Sequence, residues 1–235
     1  MERGLAESRV KARALVMAGL VFTGTRKLEK PGTQVKLGTA LTLRGQDHPW
    51  VSRGGLKLDH GLNHFDLDVT GATALDIGAS TGGFTDVLLS RGVAKVYAVD
   101  VGHGQLAWRL RRDDRVIVHE RTNARYLTAE QIPEPVHLLV CDASFIGLRT
   151  VLPAGMNLVA SRGQMITLIK PQFEVGKEHV GKKGVVSDPA LHKMACKFVE
   201  NWVDNRPGWA VVGITESPVK GPQGNREFLL AARKV

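Results

Sequence analysis

The sequence predicts an α/β protein: a mostly parallel seven-stranded sheet with crossover helices and an antiparallel edge strand, preceded by a small α+β unit. Three observations carry this expectation. From Thr73 onward short apolar runs alternate with helical patterns, the last two runs follow each other with no helix between them, and residues 1–45 hold turn signals and short strand patterns of their own. At 235 residues and 43% hydrophobic content, the chain can bury one full core and leave length for an appendage.

The first unit, 1–45, opens with a helix capped by Ser8 and carried to Ala18, where Gly19 ends it. Val10, Ala14 and Met17 recur at helical spacing, while Arg9 and Arg13, four apart, share another face with Lys11 nearby. Short strands are expected at Leu20–Phe22, Gln34–Leu37 and Ala40–Leu43, separated by Thr23-Gly24-Thr25 and Pro31-Gly32. The formal charge is +9, and residues 1–60 hold eleven Lys and Arg against five Asp and Glu, so the basic excess is mostly N-terminal. Such a surface suits a polyanion, with Arg9, Lys11 and Arg13 as RNA contacts; a solvated basic face is the plain alternative.

Residues 46–66 form a connector, His48-Pro49-Trp50-Val51, and a leading helix from Ser52 to Phe65. Trp50 there either stacks a base or packs an interface. Residues 67–235 make the main domain. Its strands are expected at Ala74–Gly78, Lys95–Val99, Val116–His119, His137–Asp142, Gln164–Lys170, Trp209–Thr215 and Glu227–Ala232, and its clearest helix at Pro189–Val203. Cys141 and Cys196 lie far apart and form neither a disulfide framework nor a metal motif, which points to a reducing cytoplasm and no metal. The apolar run Ala14–Phe22 is short, broken by Gly19 and followed by no small-x-small cleavage site, which argues against a secretory signal. No segment approaches the ~20 apolar residues of a membrane span.

The run Asp76-Ile77-Gly78-Ala79-Ser80-Thr81-Gly82-Gly83-Phe84 follows the first of these strands and opens a helix, the place where glycines let a ligand approach backbone amides. A dinucleotide fingerprint needs glycine at 78, 80 and 83, and position 80 is Ser, which counts against a nicotinamide oxidoreductase. Asp76 is an awkward neighbour for phosphate but suits the cationic methionyl end of S-adenosylmethionine. Asp100, ending the second strand, reads as the ribose anchor. Asn123 is either part of the adenine pocket or a turn residue.

Two strands end in unusual charge, at Asp142 and at Lys170-Pro171, next to the cofactor loop. A lysine terminating an apolar strand is costly to bury without a partner or a task. Lys177, Lys182 and Lys183 follow on a glycine-rich stretch that either clamps phosphates or is a solvated loop.

Two resemblances sharpen these expectations. The pattern Glu7-Ser8-Arg9-x-x-Ala12-Arg13-x-Leu15-x-x-Ala18-Gly19-x-Val21, with Lys30-Pro31-Gly32, resembles the S-four RNA-binding domain. The match starts at the loop before the second helix of such domains, so the first helix is expected to be missing, and Thr23-Gly24-Thr25 replaces the usual Val-Asn-Gly turn. Val51-Ser-Arg53-Gly-Gly55-x-Lys57-Leu, Cys141-Asp142-x-Ser144-Phe145, Leu168-Ile-Lys170-Pro171-Gln172-Phe173-Glu174 and Gly224-Asn225-Arg226-Glu227-Phe228 together resemble the Lys-Asp-Lys-Glu set of the FtsJ-like ribose methyltransferases. The whole chain resembles the TlyA family of ribosomal-RNA methyltransferases, also described as haemolysins. That resemblance implies a Rossmann-like methyltransferase using S-adenosylmethionine on the ribose 2′-oxygen of cytidine in rRNA. Lys170 would deprotonate or polarise the hydroxyl, Asp142 and Glu227 would position Lys170, Lys57 would balance the charge and touch RNA, and Arg53 would bind RNA. Asp142 would also border the cofactor. An RNA-binding protein without catalysis and a membrane-active haemolysin are the alternatives.

Overall fold

The computed structural model describes residues 5–6, 8–17, 19–28, 30–43 and 48–235, apart from the side chains at 11, 14 and 222. The chain divides into two compact units, Met1–Pro49 and Trp50–Val235.

In the smaller unit, helix α1 (Arg9–Met17) is followed by strands β1 (Val21–Thr23), β2 (Arg26–Lys27) and β3 (Thr42–Leu43) in the antiparallel order β2-β1-β3. The Ser8 carbonyl accepts the Ala12 amide at 2.9 Å, and Gly19 (φ 69°) closes the helix. The strand expected at Gln34–Leu37 does not form. Thr23 pairs with Arg26, so the two-residue turn Gly24-Thr25 folds the chain straight back and Arg26–Lys27 takes the place beside β1. Leu37 stands fully exposed. Val10 and Met17, read as an apolar helix face, are also exposed; Val21 and Leu28 are buried instead. Arg9 and Arg13 are exposed, whereas the Lys11 and Ala14 side chains and residues Glu7 and Ala18 lie outside the described ones.

The larger unit is a doubly wound sheet. Strands β4 (Thr73–Ile77), β5 (Lys95–Val99), β6 (Val116–His119), β7 (Val136–Cys141) and β8 (Val159–Ile169) run parallel, while β10 (Phe228–Lys234) enters antiparallel between β8 and the outermost β9 (Trp209–Glu216). The order is β6-β5-β4-β7-β8-β10-β9. All seven expected strands are present within a residue or two, except that β8 starts at Val159. A register shift opposite Val136–Leu138 and a positive φ at Arg162 let this strand pair from Val159, ahead of the expected Gln164.

Alternation sorts the strand residues to two cores. Leu75, Ile77, Leu139 and Met165 pack with helices α4 (Leu148–Leu158) and α5 (Pro189–Asp204). Ala74, Leu138, Val140 and Ile166 pack with Leu58 and Leu62 of α2 (Gly54–His64) and Leu88 of α3 (Gly83–Ser90). The leading helix thus forms part of one layer of the sheet. Trp50 is half-buried against that second core, so packing, rather than an open stacking face, describes its position. Among the described residues no helix is long and apolar enough to cross a membrane.

Candidate active site

The strand order reverses between β4 and β7, and the crevice beyond their carboxyl ends is where ligands bind in such sheets. Two clefts open there. One, about 410 Å³, is lined by Ser52–Gly54, Lys57, Thr81, Gly83, Phe84, Lys170, Lys220 and Gly221 among others. The other, about 790 Å³, is lined by Asp100–Gly102, Gln105, Thr122–Arg125, Phe145, Ile146 and Val151. Gly78, Ser80, Asp142 and Ser144 belong to both, so the two form one continuous groove.

The turn after β4 explains the odd residue in the glycine run. Gly78 (φ 82°) lies under the next loop, where an added Cβ would meet the Ala143 backbone at 2.9 Å. Ser80 holds φ 48°, the left-handed conformation that glycine adopts without the cost a side chain brings. Its amide donates to Asp100 Oδ2 at 2.8 Å and its hydroxyl bonds Gln105 at 3.1 Å, interactions that compensate the strain. Asp100 Oδ1 accepts from the Gly102 amide at 2.6 Å. Each oxygen keeps a second lone pair for a ligand hydroxyl. Asn123 accepts from the Arg125 amide at 3.1 Å and also lines the larger cleft, so it is turn residue and wall at once.

Asp76 sits differently from its neighbours. It is fully buried, accepts from the Thr85 hydroxyl at 2.7 Å, and is not among the lining residues of either cleft. Burial pushes its carboxyl up to about 7; the Thr85 hydrogen bond opposes that rise, and the charges of Asp142 and Asp100 add to it. Gly82 caps α3 without lining the clefts, and Gly83 lets the start of α2 approach α3: an added Cβ would lie 2.9 Å from the Gly55 nitrogen. That close approach delivers Lys57.

Four charges line up across the groove in alternating sign. Glu227 Oε2 lies 2.7 Å from Lys57 Nζ, Lys57 Nζ lies 3.6 Å from Asp142 Oδ2, and Asp142 Oδ1 lies 2.6 Å from Lys170 Nζ. Lys57, Lys170 and Glu227 are all buried. The expectation that Glu227 sits on Lys170 is corrected: α2 lays Lys57 between them, so Glu227 pairs with Lys57 and Asp142 alone of the two carboxylates touches Lys170. Lys170 Nζ also donates to the Asp142 carbonyl at 2.9 Å and the Ser144 hydroxyl at 2.7 Å, so two hydrogen bonds and one ion pair hold the ammonium. Glu227 immediately precedes an antiparallel strand, which is how it reaches the same edge as the ends of β7 and β8.

The remaining expected residues are spread out. Arg53 lines the smaller cleft and donates to the Lys220 carbonyl at 3.2 Å. Lys177, Lys182 and Lys183 are exposed and line neither cleft. Sequence reasoning missed Ser144, Ser52, Lys220 and Gly221. Ser144 was visible as a polar residue fixed two positions after Asp142; Lys220-Gly221 carries no spacing signal, since it arrives through a loop.

A doubly wound sheet with a buried row of opposed charges at its switch point marks an α/β enzyme whose chemistry lies at the carboxyl edge. Residues 50–234 match the model of the FtsJ-like methyltransferases, and the chain belongs to that family. It is 50% identical over 234 residues to a protein of Mycobacterium tuberculosis named 16S/23S rRNA (cytidine-2′-O)-methyltransferase TlyA, covering 99% of this chain and 87% of that one. It is 38% identical over 228 residues to Hemolysin A of Brachyspira hyodysenteriae, covering 96% and 94%. A solved structure described as a candidate hemolysin from Streptococcus thermophilus superposes with a TM-score of 0.81 at 43% identity, covering 100% of this chain and 86% of that one.

Proposed function

We propose that this enzyme transfers a methyl group from S-adenosylmethionine to the ribose 2′-hydroxyl of cytidine in ribosomal RNA, in the cytoplasm. The observation that carries the reading is Lys170, held by Asp142 and Ser144 where the two halves of the groove join. The larger cleft suits the nucleoside part of the cofactor. Asp100 supplies carboxylate oxygens for ribose hydroxyls, and Val99, Val101, Ile146 and Val151 supply apolar wall for a base. Bound there, S-adenosylmethionine supplies an electrophilic methyl on a sulfonium, whose bonding pair stays on sulfur after transfer.

The chain's own task is to make a poor nucleophile attack. A 2′-hydroxyl entering the smaller cleft displaces one acceptor of Lys170, with the Ser144 hydroxyl the neutral and cheaper one to lose. Lys170 then donates to the oxygen as negative charge develops, Asp142 holds the ammonium in line, and the hydroxyl proton leaves to water as the O–C bond forms. Lys57 and Glu227 fix Asp142 from the other side. This reading gives Lys170 oxyanion stabilisation rather than a general-base role, supported by an Nζ that donates two hydrogen bonds and pairs with the Asp142 carboxylate. The Met1–Pro49 unit, with Arg9 and Arg13 exposed, and Arg53 at the cleft serve RNA binding in the same reading.

The test is transfer of tritiated methyl to 16S and 23S rRNA and to ribosomal subunits, with mapping of the modified nucleotide. Lys170→Ala abolishes transfer and leaves cofactor affinity within a few-fold. Turnover retained in that variant, or methyl found on a base, refutes the assignment.

A further inference from the structure

Asn225 lies two residues before Glu227 and is 1% exposed. Its side chain bonds far from its own turn. Oδ1 accepts from the Val186 amide at 3.0 Å and Nδ2 donates to the Gly184 carbonyl at 2.8 Å, bonds that span 39 and 41 positions of chain. Those two backbone groups lie at the C-terminal end of a tight turn, Gly181-Lys182-Lys183-Gly184, closed by Gly184 N–H to the Gly181 carbonyl at 2.8 Å and Gly181 N–H to the Val185 carbonyl at 3.0 Å. Lys182 and Lys183 occupy its two central positions, both exposed. His192 Nε2 bonds the Val186 carbonyl at 2.8 Å, so the segment beneath the turn is gripped on both sides.

The same asparagine reaches the groove through its own backbone. Its carbonyl accepts the Gly221 amide at 2.9 Å, and Gly221, packed directly on the Glu227 carboxyl, lines the smaller cleft beside Lys220. One buried side chain therefore ties a loop with two adjacent lysines to the segment bearing the Glu227 end of the charge row. A buried amide satisfied by backbone alone fixes geometry, since losing either bond strands a polar group away from water. Two ammonium groups side by side on a tight turn repel each other and are suited to neighbouring phosphates of a polynucleotide.

We propose that Asn225 is a positioning residue that sets the Lys182–Lys183 turn, acting as a clamp on RNA phosphates, in register with Glu227 and the groove. The inference rests on the RNA reading given above. It assigns the selectivity for a polyanionic strand on this side of the groove to a fixed turn. Free loop lysines would bind with the same charge but without register.

The experiment measures the affinity of the full chain for transcribed 23S and 16S rRNA across a salt series, with methyl-transfer kinetics in parallel. Replacing both lysines, Lys182→Ala with Lys183→Ala, flattens the slope of log affinity against log salt by about 0.7 to 0.9 for each phosphate no longer neutralised. Asn225→Ala raises the KM for rRNA several-fold and flattens the same slope, with cofactor affinity unchanged. Adding both lysine changes to Asn225→Ala then costs little more. Asn225→Asp, which keeps the acceptor for Val186 and loses the donor to Gly184, falls between; it carries the comparison if Asn225→Ala does not fold. Additive losses, or an unchanged salt slope in the asparagine variants, overturn the proposal. So does a wild-type chain with no affinity for either rRNA. Binding without methyl transfer sinks the proposed reaction alone and leaves the slope comparison decisive for the clamp.

Discussion

Replacing Lys57 by Met tests the charge row most directly, because it keeps most of the aliphatic stem and removes only the ammonium. The Glu227 side chain is wholly buried, and Lys57, at 2.7 Å, is its ion-pair partner among the described residues. Neither Glu227 oxygen has another side-chain or backbone donor in reach. Breaking a buried pair from one side costs about 3–5 kcal/mol, since the remaining carboxylate is left uncompensated in a water-poor site. Glu227→Gln is milder, because it removes the buried charge instead of stranding it and Lys57 retains Asp142 at 3.6 Å, so its cost stays below that of Lys57→Met. The double variant Lys57→Met, Glu227→Gln removes the stranded charge and recovers part of the loss, giving a coupling energy of about 2 kcal/mol or more. Urea unfolding followed by tryptophan fluorescence measures this cleanly. All four tryptophans, Trp50, Trp108, Trp202 and Trp209, fall in the Trp50–Val235 unit, so the signal reports that unit alone. The midpoints should shift at constant slope. A Lys57→Met cost under about 1 kcal/mol, or additive single and double effects, refutes the reasoning that the row is held by its own charges.

Two other perturbations follow from the same geometry. Gly78→Ala places a Cβ 2.9 Å from the Ala143 backbone at φ 82°; it should destabilise by about 2–4 kcal/mol and lower S-adenosylmethionine affinity at least tenfold by calorimetry. Glu174, whose Oε1 accepts from the Leu148 amide at 2.8 Å, is pushed up by burial to about 7 from 4.5, against the pull of that hydrogen bond and of Arg149. Between those two values the native state binds more protons than the unfolded one, so Glu174 makes the protein less stable as pH rises through that window, by up to about 3 kcal/mol. Asp76, raised to about 7, acts in the same direction. Glu174→Gln should therefore flatten, without abolishing, the loss of stability between pH 5 and pH 8 in urea midpoints; an unchanged pH profile counts against a buried, raised carboxyl there.

The sheet was legible because its strands are nearly continuous apolar runs buried on both faces, a pattern that survives without knowledge of any partner. Asp142 and Lys170 were legible for the converse reason, as charges at the ends of such runs. Glu227 and Lys57 could be placed in the set by motif order, but not paired: only the close approach of α2 to α3 at Gly83 puts Lys57 between the carboxylates, and that is a tertiary contact. In the smaller unit, Arg26–Lys27 carries no apolar alternation at all. It is a strand because a two-residue turn puts it beside β1, whereas Gln34–Leu37 has a better pattern and no strand partner among the described residues. Asn225 stands inside the Gly224–Phe228 motif, but its task is not legible there, since its two bonds reach across some forty residues that sequence spacing does not connect.

The insertion of β10 between β8 and β9 also orders the assembly of the site. Lys57 emerges early, Asp142 and Lys170 later, and Glu227 arrives just ahead of the final strand. Until that strand is in place the flank of β8 offers unpaired backbone groups to any passing strand, and Lys57 has no buried carboxylate to meet. The charge row is therefore completed by the last-made strand of the sheet, and the site depends on β10 finding its place between β8 and β9 rather than on any local stretch of chain.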